Sequence, residues 1–299
     1  NGFDYSTMNW AKLTNRGYEL SLSTVNVKTK DFRWVMDFNL AHNKSKINRL
    51  NVRDNSYEPS REGYSVGAVF SLKTAGLDEN GLQMFYNKQG EKVSFNDFFG
   101  LEYGYMMGGL IPFLKSNLSA EEYRNLFTYE GTTEPKFTGG WINRFYYKNF
   151  DLTVSASFVL DQTVQEQPFY NPVQTSPGQN YSRRMSQIWS PDNTSGKYPR
   201  IMGTYTEGEE NWAYQWLGML DPGNSYRKYD YWFKKMSYMR INSIRLGYTF
   251  PERLLGHIGF SSARISFEAR NPFVFGSSYK GYFDPETYGN IYTPVSYTH

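Results

Sequence analysis

The sequence predicts an all-β fold, a transmembrane antiparallel β-barrel with long extracellular loops, and three observations lead there. Several segments alternate apolar and polar residues with a period of two, the mark of a strand with two different faces. In the last pair of such segments the polar face carries Arg245, Arg264, Glu268 and Arg270, more charge than the dry core of a soluble sandwich holds without elaborate pairing. The opposite face is a ribbon of Ile, Leu, Phe and Ala, and a wall with lipid outside and water inside satisfies both faces at once. Finally, short turns alternate with very long connections, an asymmetry of outer-membrane barrels that a sandwich or propeller does not share.

Residues 1–12 show no clear period, although Tyr5 and Trp10 suit a membrane rim. In 17–27 the face Tyr18, Leu20, Leu22 opposes Glu19, Ser21, Ser23, and the polar run 28–31 has hairpin length. Its partner alternates Phe32, Trp34, Met36, Phe38 and Leu40 with Arg33, Val35, Asp37, Asn39 and Ala41. Both have the ~9 to 11 residues a tilted membrane strand requires. The stretch 43–135 breaks into glycines, asparagines and charges and is too long for an ordinary connection, so it must fold on itself. Within it, Ser119 and Glu122 have the spacing of a capping box, which predicts a short helix there. The region 90–99 lacks both the glycine spacing and the lysine of a phosphate loop.

A second hairpin, 137–147 with 150–160, turns through Lys148 and Asn149, and Phe150, Leu152, Val154, Ala156, Phe158 and Leu160 share one face of its second strand. Another long, aromatic segment, 161–235, precedes the last pair, 237–250 and 262–273. Pro251 ends the first of these, having no N–H for a ladder. In a barrel, Leu152, Val154, Phe158, Ile265 and Phe267 then face lipid, while Ser155 and Ser266 face the lumen. Alternation of short and long connections sends 17–27, 137–147 and 237–250 down to the periplasm and brings the others back. The tail 274–299, with Asp284-Pro285-Glu286, falls outside the cell, and one further descending strand is expected beyond it.

Composition narrows the function. Aromatics are 18% of the chain, with 26 Tyr and 22 Phe, as strands, interfacial girdles and stacking surfaces require. The net charge of +3 comes without a basic block interleaved with aromatics, which argues against nucleic acid. Cysteine is absent, and His42, His257 and His299 are isolated, so neither a metal nor a cofactor is expected. Mean hydropathy is −0.65, uninformative for a barrel because lumen residues dilute the apolar ones. Glu207, Glu209 and Glu210, flanked by Trp212, Tyr214 and Trp216, can be read as the carboxylates and sugar platform of a glycoside hydrolase. Glutamates on one loop are not held across a bond at fixed separation, so no catalytic residue is assigned. A soluble all-β glycan-binding module using the same aromatics is the other alternative.

The run 236–251 (MSYMRINSIRLGYTFP), then Ala269-Arg270-Asn271-Pro272-Phe273, then Tyr282-Phe283-Asp284-Pro285-Glu286, resembles the C-terminal part of SusC/RagA-type TonB-dependent transporters. Further matches are 15–22 (NRGYELSL), 76–81 (GLDENG), 189–193 (WSPDN) and 198–200 (YPR); Pro272 departs from the leucine more usual there. The resemblance implies that 1–299 is the C-terminal part of one barrel of the roughly 22-stranded type. Plug domain, early strands and final strand then lie outside this chain. It also implies residence in the cell outer membrane and import of oligosaccharide or peptide, with a SusD-like lipoprotein as lid and the TonB complex engaged through the N-terminal part. Trp189, Trp212, Tyr214 and Trp216, on the extracellular side, are the candidate ligand or lid contacts; the alternative is that these rings pack the loops on one another.

Overall fold

The computed structural model describes residues 11–50, 56–106, 111–176, 178–203, 208–256 and 259–276. The described chain begins with two long strands, β1 (Ala11–Lys28) and β2 (Phe32–Leu50). The first long connection holds β3 (Ala68–Ser71), β4 (Thr74–Leu77), β5 (Gln83–Tyr86), β6 (Lys92–Val93), helix α1 (Phe95–Phe99), β7 (Leu101–Met106), β8 (Ile111–Ser116), helix α2 (Ala120–Arg124) and β9 (Thr128–Thr132). Next come β10 (Phe137–Tyr147) and β11 (Phe150–Gln165), then helix α3 (Gly208–Gln215), β12 (Phe233–Thr249), helix α4 (Glu252–Leu255) and β13 (Arg264–Gly276). The long strands form a six-stranded antiparallel sheet in the order β1-β2-β10-β11-β12-β13. Every hairpin read from the periodicity is present, and the sheet is the barrel wall.

Register turns single strands into a wall. Residues directly opposite each other share a face, so one row runs Leu20, Leu40, Gly139, Phe158, Met239, Phe275 across all six strands. Its neighbour on the same face runs Leu22, Phe38, Trp141, Ala156, Ile241, Phe273. The interleaved rows point the other way: Ser21, Asn39, Gly140, Ser157, Arg240, Val274, and then Ser23, Asp37, Ile142, Ser155, Ser243, Arg270. A sheet largely apolar on one face and largely hydrophilic on the other suits lipid on one side and water on the other. Aromatic rows bound the apolar face. At the turn end they are Phe32, Tyr147, Phe150 and Tyr248, and at the other end Tyr18, His42 and Phe137, whose successive rings lie 5.0 and 5.1 Å apart. Trp34 also faces lipid, and its indole N–H is satisfied by Asn143 Oδ1 at 2.9 Å in the same layer.

The proline within β13 fits because the ladder is interrupted there. Register shifts between Ile241 and Ser243 on β12, setting Asn271 and Pro272 opposite the single residue Asn242. A bulge leaves a residue unpaired, which tolerates the missing N–H of Pro272, and Asn271 takes a left-handed φ of 48°. A second bulge, at Asp161 with φ of 55°, marks where β11 leaves the membrane zone.

Strands β1 and β2 run 18 and 19 residues, well beyond the sequence reading. The excess lies at the end away from the short turns, where the alternation inverts: Ser45 and Ile47 are buried under the loops, while Lys44 and Lys46, in line with Leu40 and His42, are exposed. Met236 and Tyr238 on β12 are buried in the same way. The two long connections therefore fold inward above the lipid zone as one cap. Its core joins Leu72, Phe85, Phe95, Phe99 and Tyr123 of the first connection to Tyr170, Ile188, Trp216, Tyr229 and Trp232 of the second. Backbone bonds stitch the halves: Leu72 N–H donates to Lys228 O at 2.8 Å, and Asp230 N–H to Leu72 O at 3.1 Å. The predicted capping box closes α2, with Ser119 and Glu122 each accepting from the other's N–H. Residues 274–276 continue β13; the Asp284-Pro285-Glu286 motif, Tyr5 and Trp10 lie outside the described residues.

Candidate functional site

The wall positions a charged lumen face on which several charges are paired in place. Arg264 reaches across β12 to Asp151 on β11, with Nη1 2.6 Å from Oδ1 and Nη2 2.8 Å from Oδ2, a two-pronged contact that fixes both side chains. Gly247, which stands between them, leaves no room for a Cβ beside that guanidinium. Arg144 pairs with Asp37, which also accepts from Ser23 Oγ at 2.7 Å. Arg270 meets Glu268 at 3.4 Å. Ser155 and Ser243 hydroxyls lie 2.8 Å apart between these pairs. Such a surface is polar, with opposite charges set side by side.

In the cap, three motifs separated in sequence converge. Gly81, with φ of +78°, has the Trp189 ring so close that an added Cβ would stand 2.4 Å from it. Arg200 lies over the Trp189 ring, 5.5 Å from its centre, and its backbone N–H donates to Gly81 O at 3.0 Å. Trp189 N–H donates to Tyr198 O at 2.9 Å, and Asp78 Oδ1 accepts from the N–H groups of Asn80 and Leu82 to shape the turn. Nearby, the Arg184 guanidinium is enclosed by aromatics, 4.5 Å from the Phe169 ring, 5.6 Å from Tyr198 and 5.9 Å from Trp232. It bonds Glu166 at 2.5 Å and Tyr198 Oη at 2.8 Å. Burial alone would lower the Arg184 pKa; the Tyr198 hydrogen bond and the Glu166 charge outweigh it, so the pKa is raised and the group stays charged. Burial likewise pushes the Tyr229 and Tyr231 phenols far above their usual range.

The described carboxylates of the hydrolase reading, Glu209 and Glu210, face other partners than each other. Glu210 pairs with Arg200 at 3.2 Å. Glu209 is raised above the ordinary carboxylate range by burial, then by the negative charges of Asp78 and Asp97. Glu207 lies outside the described residues. Among the described residues no group of three His, Asp or Glu is placed to hold a metal.

No family model matches the chain. It is 27% identical over 303 residues to TonB-dependent receptor P3 of Formosa agariphila, covering 95% of this chain and 26% of that protein. To TonB-dependent receptor SusC of Bacteroides thetaiotaomicron it is 24% identical over 293 residues, covering 95% of this chain and 25% of that protein. The chain resembles SusC/RagA-type TonB-dependent transporters. The solved structure of the RagAB peptide transporter superposes with a TM-score of 0.60 at 19% identity, over 91% of this chain and 26% of that one. The same importer in its open-open state gives 0.60 at 20% identity. At these identities the superpositions establish the barrel-wall fold. The chain spans about a quarter of the length of the SusC-type relatives it matches.

In this SusC/RagA-like chain the four aromatics selected from sequence do not form one surface. Trp189 and Trp216 retain 8% and 4% of their exposure: the first fills the slot between Gly81 and Arg200, the second packs on Phe99 with ring centres 5.8 Å apart. Trp212 and Tyr214, on α3, are partly buried against the core. Trp212 continues into a surface the sequence reading missed, with Tyr103 at 5.5 Å and Tyr105 6.2 Å beyond Tyr103 on β7, the latter 63% exposed. The alternation of Tyr103 and Tyr105 about Gly104 was the available signal, hidden inside a stretch otherwise without period.

Proposed function

We propose that this chain is the C-terminal part of the barrel of an outer-membrane importer driven by TonB, which takes up oligosaccharide or peptide with a SusD-like surface lipoprotein as lid. The observation that carries the reading is the wall: six strands in unbroken antiparallel order, lipid-compatible on one face and charge-paired on the other, beneath an ordered cap. Both edges, β1 and β13, end the sheet with unpaired backbone groups, which lipid does not tolerate. The remaining strands of a larger barrel would cover them. Relatives named as TonB-dependent receptors, matched over 95% of this chain, support the same assignment. The cap is then extracellular, and Trp212 with Tyr103 and Tyr105 is the candidate contact for cargo or lid, because exposed adjacent rings stack on sugar faces or fill partner pockets. Trp189, Trp216 and Tyr214 act through it by holding the cap in shape.

The test is uptake by the full-length protein in cells with and without an energised TonB system, using labelled oligosaccharides and peptides, with lipoprotein co-purification as a second readout. Uptake that needs TonB, and falls with Trp212→Ala while assembly is retained, is the expected result. Glycan cleavage by the purified protein, or uptake indifferent to TonB, would overturn the proposal.

A further inference from the structure

The outward face changes character abruptly above its upper aromatic row. Register places Arg16 directly opposite Lys44, one step beyond the pair Tyr18 and His42 on the same face, and Thr14 opposite Lys46, one step further. One step along a strand on one face is two residues, about 7 Å, so these cations stand at the level where apolar chains give way to headgroups. Like charges directly opposite in a ladder repel, yet Arg16, Lys44 and Lys46 form no ion pair among the described residues. Beside them is a cavity of about 640 Å³ lined by Lys44, Lys46, Lys136 and Lys235 among others. Its carboxylates are outnumbered: Glu130 is paired with Lys73, which leaves Glu134, hydrogen-bonded by Ser45 Oγ at 2.9 Å, and Asp161 against four lysines. Lys235 already donates to Thr163 Oγ1 at 3.0 Å.

We infer that this row and the cavity behind it bind the phosphate-bearing headgroup of an anionic lipid in the outer leaflet, which fixes the height of the wall in the membrane. Charge complementarity selects the occupant: opposed cations one step above an aromatic girdle meet phosphate there, and a phosphate between Arg16 and Lys44 turns their repulsion into shared attraction. The inference rests on the membrane orientation proposed above.

The experiment uses the full-length protein in phosphatidylcholine nanodiscs doped with phosphatidylglycerol, with retained lipid counted by native mass spectrometry. Wild type is expected to retain phosphatidylglycerol over phosphatidylcholine, and Lys44→Glu with Lys46→Glu to reduce that retention by about tenfold or more. Lys92→Glu, on the cap surface, should leave it unchanged, and heat-modifiable gel mobility confirms the barrel in each case. If the charge reversals prevent folding, Lys44→Gln with Lys46→Gln is expected to give a smaller loss of the same sign. Equal retention in wild type and the folded double variant, an equal loss in Lys92→Glu, or complete displacement by inorganic phosphate at constant ionic strength would overturn the lipid site. Failure of the protein to embed in the disc would instead overturn the membrane reading itself.

Discussion

Placing arginine at successive outward positions of β11 tests the wall most directly. Phe150 and Leu160, ten residues apart, belong to the lower and upper boundary rows, since Phe150 pairs Tyr147 and Leu160 pairs Phe137. At about 3.3 Å per residue and a tilt near 40°, that span is roughly 25 Å high, the thickness of an outer-membrane apolar band. Val154 and Ala156 then lie at the midplane. Val154→Arg should cost about 2 to 4 kcal/mol, Leu152→Arg and Phe158→Arg less, and Phe150→Arg and Leu160→Arg about 0 to 1 kcal/mol. Ser155→Arg, one residue from the costliest site but facing the lumen, should be mild, losing one hydroxyl contact to Ser243. Reversible urea unfolding of the full-length protein in lipid vesicles, followed by tryptophan emission, reads these differences. A profile flat along the strand, or a Ser155→Arg as costly as Val154→Arg, would refute the assignment of faces.

Other changes address the cap. Trp216→Ala opens a hole beside Phe99 and should destabilise the cap by about 3 to 5 kcal/mol, visible as faster proteolysis of 166–232, whereas Trp212→Ala should leave protection nearly intact. Glu166→Gln leaves Arg184 buried without its counter-charge and should cost about 3 kcal/mol in the same assay, more than the double replacement Arg184→Met with Glu166→Leu. Glu209 has a raised pKa in the fold, so its favourable protonated form is fully present below the ordinary carboxylate range, and that stability is lost as pH rises through the raised value. Glu209→Gln should therefore stabilise the cap near neutral pH and flatten its pH profile in thermal melts; an unchanged profile would refute the crowding with Asp78 and Asp97.

How much was legible followed where the physics is local. β10 and the lower part of β11 match the periodicity because lipid on one side imposes a strict alternation of two. Strands β1 and β2 instead run beyond their periodicity at their upper ends, since past His42 the apolar preference moves to the other face, with Ser45 and Ile47 beneath the cap, and the pattern cancels. The helix at Ser119 was legible because a capping box is written in four residues. The cap core was not, since its two halves meet through contacts a hundred and more positions apart, such as Phe85 with Tyr229 and Phe99 with Trp216. Nor could spacing distinguish Trp189 and Trp216 from Trp212: one tryptophan lies in a slot opened by a glycine far earlier in the chain, another beneath a helix, and the third beside a tyrosine ladder.

The bulge at Asn242, faced by Asn271 and Pro272, bears on how such a wall is built. A strand that docks one position out of step would present its serines and arginines to hydrocarbon and its phenylalanines to water, an error repeated along its whole length. A smooth ladder offers no landmark against it. Here the side chain of Ser157 donates to Asn242 Oδ1 at 3.1 Å on one flank, and the proline on the other flank can sit only where no N–H is wanted. The irregularity thus works as an index notch: three successive strands close in one alignment, and an insertion machine adding them one at a time receives a wall that checks its own phase.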